Sequence, residues 1–256
     1  MNQILSDLKD FLEEKVALYN RPQFIESDPV SIPHLFERKE DIELAGFLAA
    51  TIAWGNRKMI VQNANRIMAM MGNSPYDFIM HHDDRQLERL EGFVHRTFNQ
   101  TDLFYFIKAL RNIYLTKGGL ETVFAAAVTE TSTQPAIAHF KTEFFSLSAP
   151  QRTHKHVSDP AKGSAAKRIN MFLRWMVRND GCGVDFGIWK SILPSQLSCP
   201  LDVHSGNVAR KLGLLTRSQN DARAVEELDI SLRMMDREDP VKYDFALFGL
   251  GVFEKF

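Results

Sequence analysis

The stretch from Ser164 to Arg178 most restricts what this chain can fold into, because its side chains sort about one axis. At 100° per residue with Lys167 at zero, Asn170, Met171, Arg174 and Arg178 fall within about 60° of it. Ile169, Phe172, Leu173, Met176 and Val177 fill the other side, flanked by Arg168 and Trp175. Such separation dictates an amphipathic helix whose apolar stripe must be covered by other elements. The opposite stripe is cationic, and no acid shares it. Two arginines beside an amine, together with partial burial, would disfavour the protonated form of Lys167.

The same period runs through the rest of the chain, and no convincing run of alternating strand residues interrupts it. Helices are expected over residues 3–19, 40–72 as one helix or two broken at Gly55, 75–81, 84–91, 102–116 capped by Thr101, 120–130, 133–147, 164–178, 203–212, 219–234 and 240–253. A small-residue patch, Ala45, Gly46, Ala49 and Ala50, marks a close helix contact. Residues 21–39 contain Pro22, Pro29 and Pro33 and read as an ordered loop. The fold class is therefore all-α, with two helical lobes about a central cleft. The chain reads as one unit, 1–256, with possible lobes 1–150 and 151–256.

A second segment matches the first in chemical interest. Asp202 precedes the short apolar run Val203, Val208 and Leu212, which stops at Gly213. Aspartate is a preferred N-cap and glycine a preferred stop. A helix N-terminus also presents amides and a positive dipole end, which suit a phosphate and hold a carboxylate ionised.

Composition excludes several classes. No apolar run reaches the length of a membrane span, and the start lacks a signal-peptide pattern, so a cytoplasmic protein is expected. Two cysteines, Cys182 and Cys199, cannot form a disulfide framework or supply four thiolates to an iron–sulfur cluster. Net charge is −1, yet residues 151–178 carry seven Lys and Arg against one acid, Asp159. A local patch of this kind binds nucleic-acid phosphates. There is no phosphate-binding glycine loop and no Ser-His-Asp signature.

Other candidates are weaker. His154, Lys155 and His156 form a basic trio; two imidazoles could ligate a metal, but no further ligand lies at motif spacing, so phosphate contact is the reading and no metal is assigned. Trp54, Asp185 and Trp189 are candidate walls of a base pocket, because flipped bases stack on aromatics. A buried structural role is the favoured reading of Trp189, and Trp54 is a second pocket candidate with Asn56 and Arg57 after it. Asp244 lies among Tyr243, Phe245 and Phe248, where a carboxylate must be paired or line a pocket.

Taken together, Gly163-Ser-Ala-Ala-Lys167 and Leu201-Asp-Val-His-Ser-Gly-Asn-Val-Ala-Arg210 resemble the helix-hairpin-helix-GPD superfamily of DNA glycosylases. The lysine-to-aspartate spacing of 35 residues and the Met171-Phe172 pair look most like its archaeal 8-oxoguanine glycosylase branch. Four stretches across most of the length also look like an uncharacterised bacterial family of unknown function. They begin at Asp28, Phe172, Gly183 and Tyr243. The glycosylase resemblance covers only about residues 160–215. The usual Leu-Pro-Gly-Val-Gly hairpin is absent, and Pro160-Ala-Lys-Gly163 stands in its place.

The resemblance implies base-excision repair by a glycosylase with AP-lyase activity. Lys167 is then the Schiff-base nucleophile and Asp202 its partner. Damaged duplex DNA is the implied partner, with no cofactor. DNA contacts are expected from His154, Lys155, His156, Arg168, Asn170, Arg174, Asp185, Trp189, His204, Trp54 and Asp244. Two alternatives remain from the sequence: a non-catalytic nucleic-acid-binding protein with this fold, and a helical protein-interaction scaffold.

Overall fold

The computed structural model describes residues 3–256 and is mostly helical. Twelve α-helices follow one another: α1 Gln3–Tyr19, α2 Lys39–Thr51, α3 Arg57–Met70, α4 Pro75–His81, α5 Asp84–Glu88, α6 Gln100–Lys117, α7 Leu120–Ala125, α8 Gln134–Phe144, α9 Lys167–Val177, α10 Val203–Lys211, α11 Ala222–Met235 and α12 Tyr243–Gly249. A short hairpin, β1 Val94–His95 and β2 Phe98–Asn99, pairs antiparallel between α5 and α6. Its two-residue strands are too short to leave an alternating pattern in the sequence.

Several boundaries differ from the periodicity. Asn99, not Thr101, caps α6: its side chain accepts from the Thr101 and Asp102 amides, while Asp102 accepts from the Asn99 amide at 3.0 Å. Helix α7 ends at Ala125, and the Thr129 amide and hydroxyl both bond to the Ser132 carbonyl. Such local bonding competes with helix propagation. The proline loop forms three 3₁₀ turns, each opened by its proline: 22–27, 29–31 and 33–35. The missing N–H of each proline falls where a helix start has no partner for it.

Helix α2 is the central element. Every residue from Asp41 to Thr51 is buried. A helix buried on all sides must use small residues where it meets a neighbour closely. At Gly46 an added Cβ would lie 3.2 Å from Met176 Cε and 3.4 Å from Phe172 Cε2, so α9 passes close to α2 there. The first apolar core gathers α2, α3, α4, α6, α7, α8 and α9. The second gathers α1, α10, α11 and α12. The interiors therefore do not part near residue 150: α1 packs with the C-terminal helices, and the lysine helix belongs to the first core. Where α1 meets α12, a Cβ at Gly249 would sit 2.1 Å from Tyr19 Cδ2, so only glycine fits. No helix among the described residues is long and apolar enough to cross a membrane.

Candidate active site

A cleft of about 950 Å³ opens beside the N-terminal ends of α9 and α10, with α3, α12 and the proline loop around it. Lys167 is the first residue of α9. The preceding Ala166 is buried and left-handed, at φ 45° and ψ 33°. For alanine this costs about 1 kcal/mol. The strained corner is held by its neighbours: Ala222 N–H donates to the Gly163 carbonyl at 3.1 Å, and the Ala166 carbonyl accepts from Ile169 and Asn170 at 3.0 Å.

Asp202 is the N-cap of α10, and its two oxygens divide the work. Oδ1 accepts from the amides of His204 at 2.8 Å and Ser205 at 3.0 Å, and Ser205 Oγ accepts from the Asp202 amide at 2.9 Å. Oδ2 faces Lys167 Nζ at 3.6 Å. The Asp202 carbonyl is fixed in turn by Asn220 Nδ2 at 2.8 Å. Both side chains of the pair keep solvent access, at 29% for Lys167 and 21% for Asp202. Capping and pairing are thus simultaneous properties of one carboxylate.

The inner end of the cleft differs. Arg174 is 3% exposed, donates through Nη1 to Asp244 Oδ2 and through Nε to Asp185 Oδ1 at 3.3 Å, and lies over the Phe245 ring at 4.2 Å. One turn on, Arg178 donates to Asp185 at 3.1 Å, Asp239 at 2.8 Å and Asp180 at 2.6 Å. The stripe opposite the apolar face of α9 is therefore an interior ionic ladder, not a solvated cationic surface. Its acids lie outside the helix, at 180–185 and 239–244, where a helical wheel cannot show them. Arg174 and Arg178 are matched by four aspartates, so the uncompensated field expected around Lys167 is absent. Burial, with Arg174 opposing it and Asp202 adding to it, raises the Asp244 carboxyl to about 6.

Of the residues singled out from sequence, Trp54, Lys167, Arg168, Arg174, Asp202, His204 and Asp244 line the cleft. Arg168 bonds to the Thr51 carbonyl and lies 4.7 Å over the Trp54 ring, so it stiffens that wall. The others are placed elsewhere. Trp189 is buried and donates to Glu43 Oε1 at 2.7 Å, which makes it a core residue. Asp185 belongs to the ladder. Asn170 joins α8 to the turn before α9, accepting from Gln134 at 3.0 Å and donating to the Ala165 carbonyl at 3.1 Å. His156 is buried 3.3 Å from Asp102, and burial pushes its pKa down to about 4, so it brings no charge to a phosphate near neutral pH. His154 stacks on Phe145 at 4.0 Å. Lys155 is exposed, away from the cleft lining.

The cleft also contains Arg57, which follows Trp54 in the pocket candidate of the sequence, and Asp28, Asn220 and Phe248, which were not among the sequence candidates. Phe248 had a signal: it lies four residues after Asp244 and so shares its helix face. Asp28 had no chemical signal beyond a turn-forming Asp-Pro, although it opens one of the four stretches that look like the uncharacterised family. Among the described residues, no group of three or more His, Cys, Asp or Glu is placed to hold a metal ion.

From Asp28 to Phe253 the chain matches the family described as "Protein of unknown function (DUF2400)", and it belongs to that family. The matched span takes in every residue lining the cleft except Phe24. No curated protein and no solved structure matches the chain.

Proposed function

We propose that the cleft is the active site of a DNA base-excision glycosylase with AP-lyase activity. The observation that carries this reading is the pairing of Lys167 Nζ and Asp202 Oδ2 at 3.6 Å, each beside a helix N-terminus, on the edge of a cleft walled by Trp54 and Phe248. Two groups 35 residues apart in sequence meet where an amine nucleophile and an anionic partner are needed. The aromatic walls suit a base turned out of the duplex. The positive ends of α9 and α10 suit its flanking phosphates.

In this mechanism the neutral amine of Lys167 attacks C1′ of the flipped nucleotide, and the glycosidic electron pair leaves with the base. Asp202 Oδ2 stabilises positive charge on the sugar and accepts the proton that Lys167 sheds. Asp202 passes that proton to O4′ as the sugar ring opens to the imine, and then takes a proton from C2′ as the C3′–O bond to the phosphate breaks, which gives the nick. An oxidised purine, 8-oxoguanine first among them, is the proposed base.

The proposed fold relation is helix-hairpin-helix, with α8 and α9 as the helix pair, but they are joined by a long connection, 145–166, whose last turn before α9 differs from the usual hairpin. The amides of Ala161, Lys162, Gly163 and Ser164 are all bonded within the turn, three of them to Asp159. Backbone capture of a phosphate there is replaced by side chains, and Lys155 and Lys162 are exposed for it. Borohydride trapping on a panel of lesion-bearing and abasic duplexes tests the function. Wild-type protein should form a covalent complex with at least one of them. No complex with any would reject the enzyme reading and leave a binding protein.

A further inference from the structure

One buried carboxyl facing the cleft plays no part in the Lys167–Asp202 pair. Asp28 opens the 3₁₀ turn 29–31, is 7% exposed, and lines the cleft. Its Oδ1 accepts the Val30 amide at 3.0 Å. No cation among the described residues forms an ion pair with it; Arg57 on α3 and Arg174 and Lys167 on α9 act on it only at longer range. Arg168 on α9, Asp202 and His204 on α10 and Asp244 on α12 complete the ionisable lining. Burial without a paired cation favours the neutral acid, and the Asp28 pKa is raised above the usual carboxylate value for that reason.

This arrangement bears on a step that Lys167 and Asp202 leave unserved. A base departing with the glycosidic electron pair is a poor leaving group unless it gains a proton. A positioned acid contributes about 10²–10⁴-fold to such a step. Two carboxyls set in different environments take different roles: the partly exposed, amide-bonded Asp202 as carboxylate, the buried one as acid.

We propose that Asp28 is the general acid of base release. The assignment rests on the glycosylase reading of the cleft. The O–H bond of Asp28 breaks as an N–H bond forms on the departing base. The electron pair of the C1′–N bond moves onto that base, which leaves neutral. The lone pair of Lys167 Nζ makes the new bond to C1′, and Asp202 takes the proton that Lys167 loses. Asp28, left as carboxylate, is reprotonated by solvent entering the open cleft.

The test separates base release from lyase chemistry. D28N keeps an acceptor for the Val30 amide and deletes the proton. D28S, also a good cap, is the second variant in case the first melts early. The probes are duplexes carrying single damaged bases, 8-oxoguanine among them, and a duplex with a preformed abasic site. Either variant should slow single-turnover base release about 100-fold or more. Wild-type release should decline as pH rises through the Asp28 titration, and the variants should lose that limb. Trapping on the abasic duplex needs no leaving base and should persist in both. Base release near wild type with an unchanged pH profile would overturn the proposal. Loss of release and of abasic trapping together in a normally melting variant would also overturn it. So would a wild type that nicks abasic DNA yet releases no base. A wild type that traps on nothing would instead overturn the glycosylase reading itself.

Discussion

Lys167 and Arg174 lie two turns apart on one stripe of α9, and they do opposite things. Lys167 is about one-third exposed and faces a single carboxylate across 3.6 Å. Arg174 is buried, binds two aspartates and continues through Asp185 to Arg178. The difference shows that a polar stripe fixes direction but not depth. At the start of α9 the stripe meets a cleft. Two turns on, it meets Asp244 from α12, and the charges become part of the interior. One end stays open to the cleft, while the other ties α9 to α12 through Asp244.

Breaking the ladder should give the largest stability effect. Arg174→Met leaves Asp244 and Asp185 buried without this partner and should cost about 3–5 kcal/mol in chemical denaturation. Lys167→Gln, on the same stripe, should stay within about 0.5 kcal/mol of wild type. Equal losses in the two variants would erase the distinction between the ends of α9.

Asp202→Asn sharpens the comparison at the mouth. An amide oxygen can still cap α10, so stability should fall by only about 0.5 kcal/mol. The carboxylate facing Lys167 is gone, so turnover should fall about 100-fold or more in a single-turnover nicking assay. Turnover and melting temperature both near wild type would reduce Asp202 to a cap.

The smallest effect concerns the outer surface. The basic patch read from the sequence places Arg152 with Lys155 and Lys162, but Arg152 pairs with the buried Asp102 at 3.1 Å and donates to the Thr97 carbonyl at 2.7 Å. Reversing its charge would damage the fold. Reversing Lys155 and Lys162 alone should weaken DNA binding with little change in stability. For every phosphate that a reversed lysine no longer neutralises, the slope of log affinity against log salt should flatten by about 0.9. An unchanged slope would move the nucleic-acid surface elsewhere or favour a protein partner.

Much of this was legible locally. Helix α1 at Gln3–Tyr19 and α4 at Pro75–His81 coincide with their periodicity, and the break at Gly55 separates α2 from α3. Asp202 carries the signature of a cap and is one. What was not legible depends on pairing between distant residues. The aspartates that neutralise Arg174 and Arg178 lie up to 70 residues away, and no helical wheel contains them. Trp189 reads first as a core ring and second as a pocket wall, and its bond to Glu43 bears out the first reading. Asp28 reads as one more turn residue until the proline loop folds over the cleft.

The proposed mechanism joins Lys167 Nζ, and no other atom of the protein, to the sugar. Wild-type protein reduced with borohydride on an abasic duplex, digested and mapped by mass spectrometry, should carry the sugar adduct on the peptide containing Lys167, and Lys167→Gln should yield none. An adduct on any other lysine or on the N-terminal amine, or trapping that survives the substitution, would contradict it.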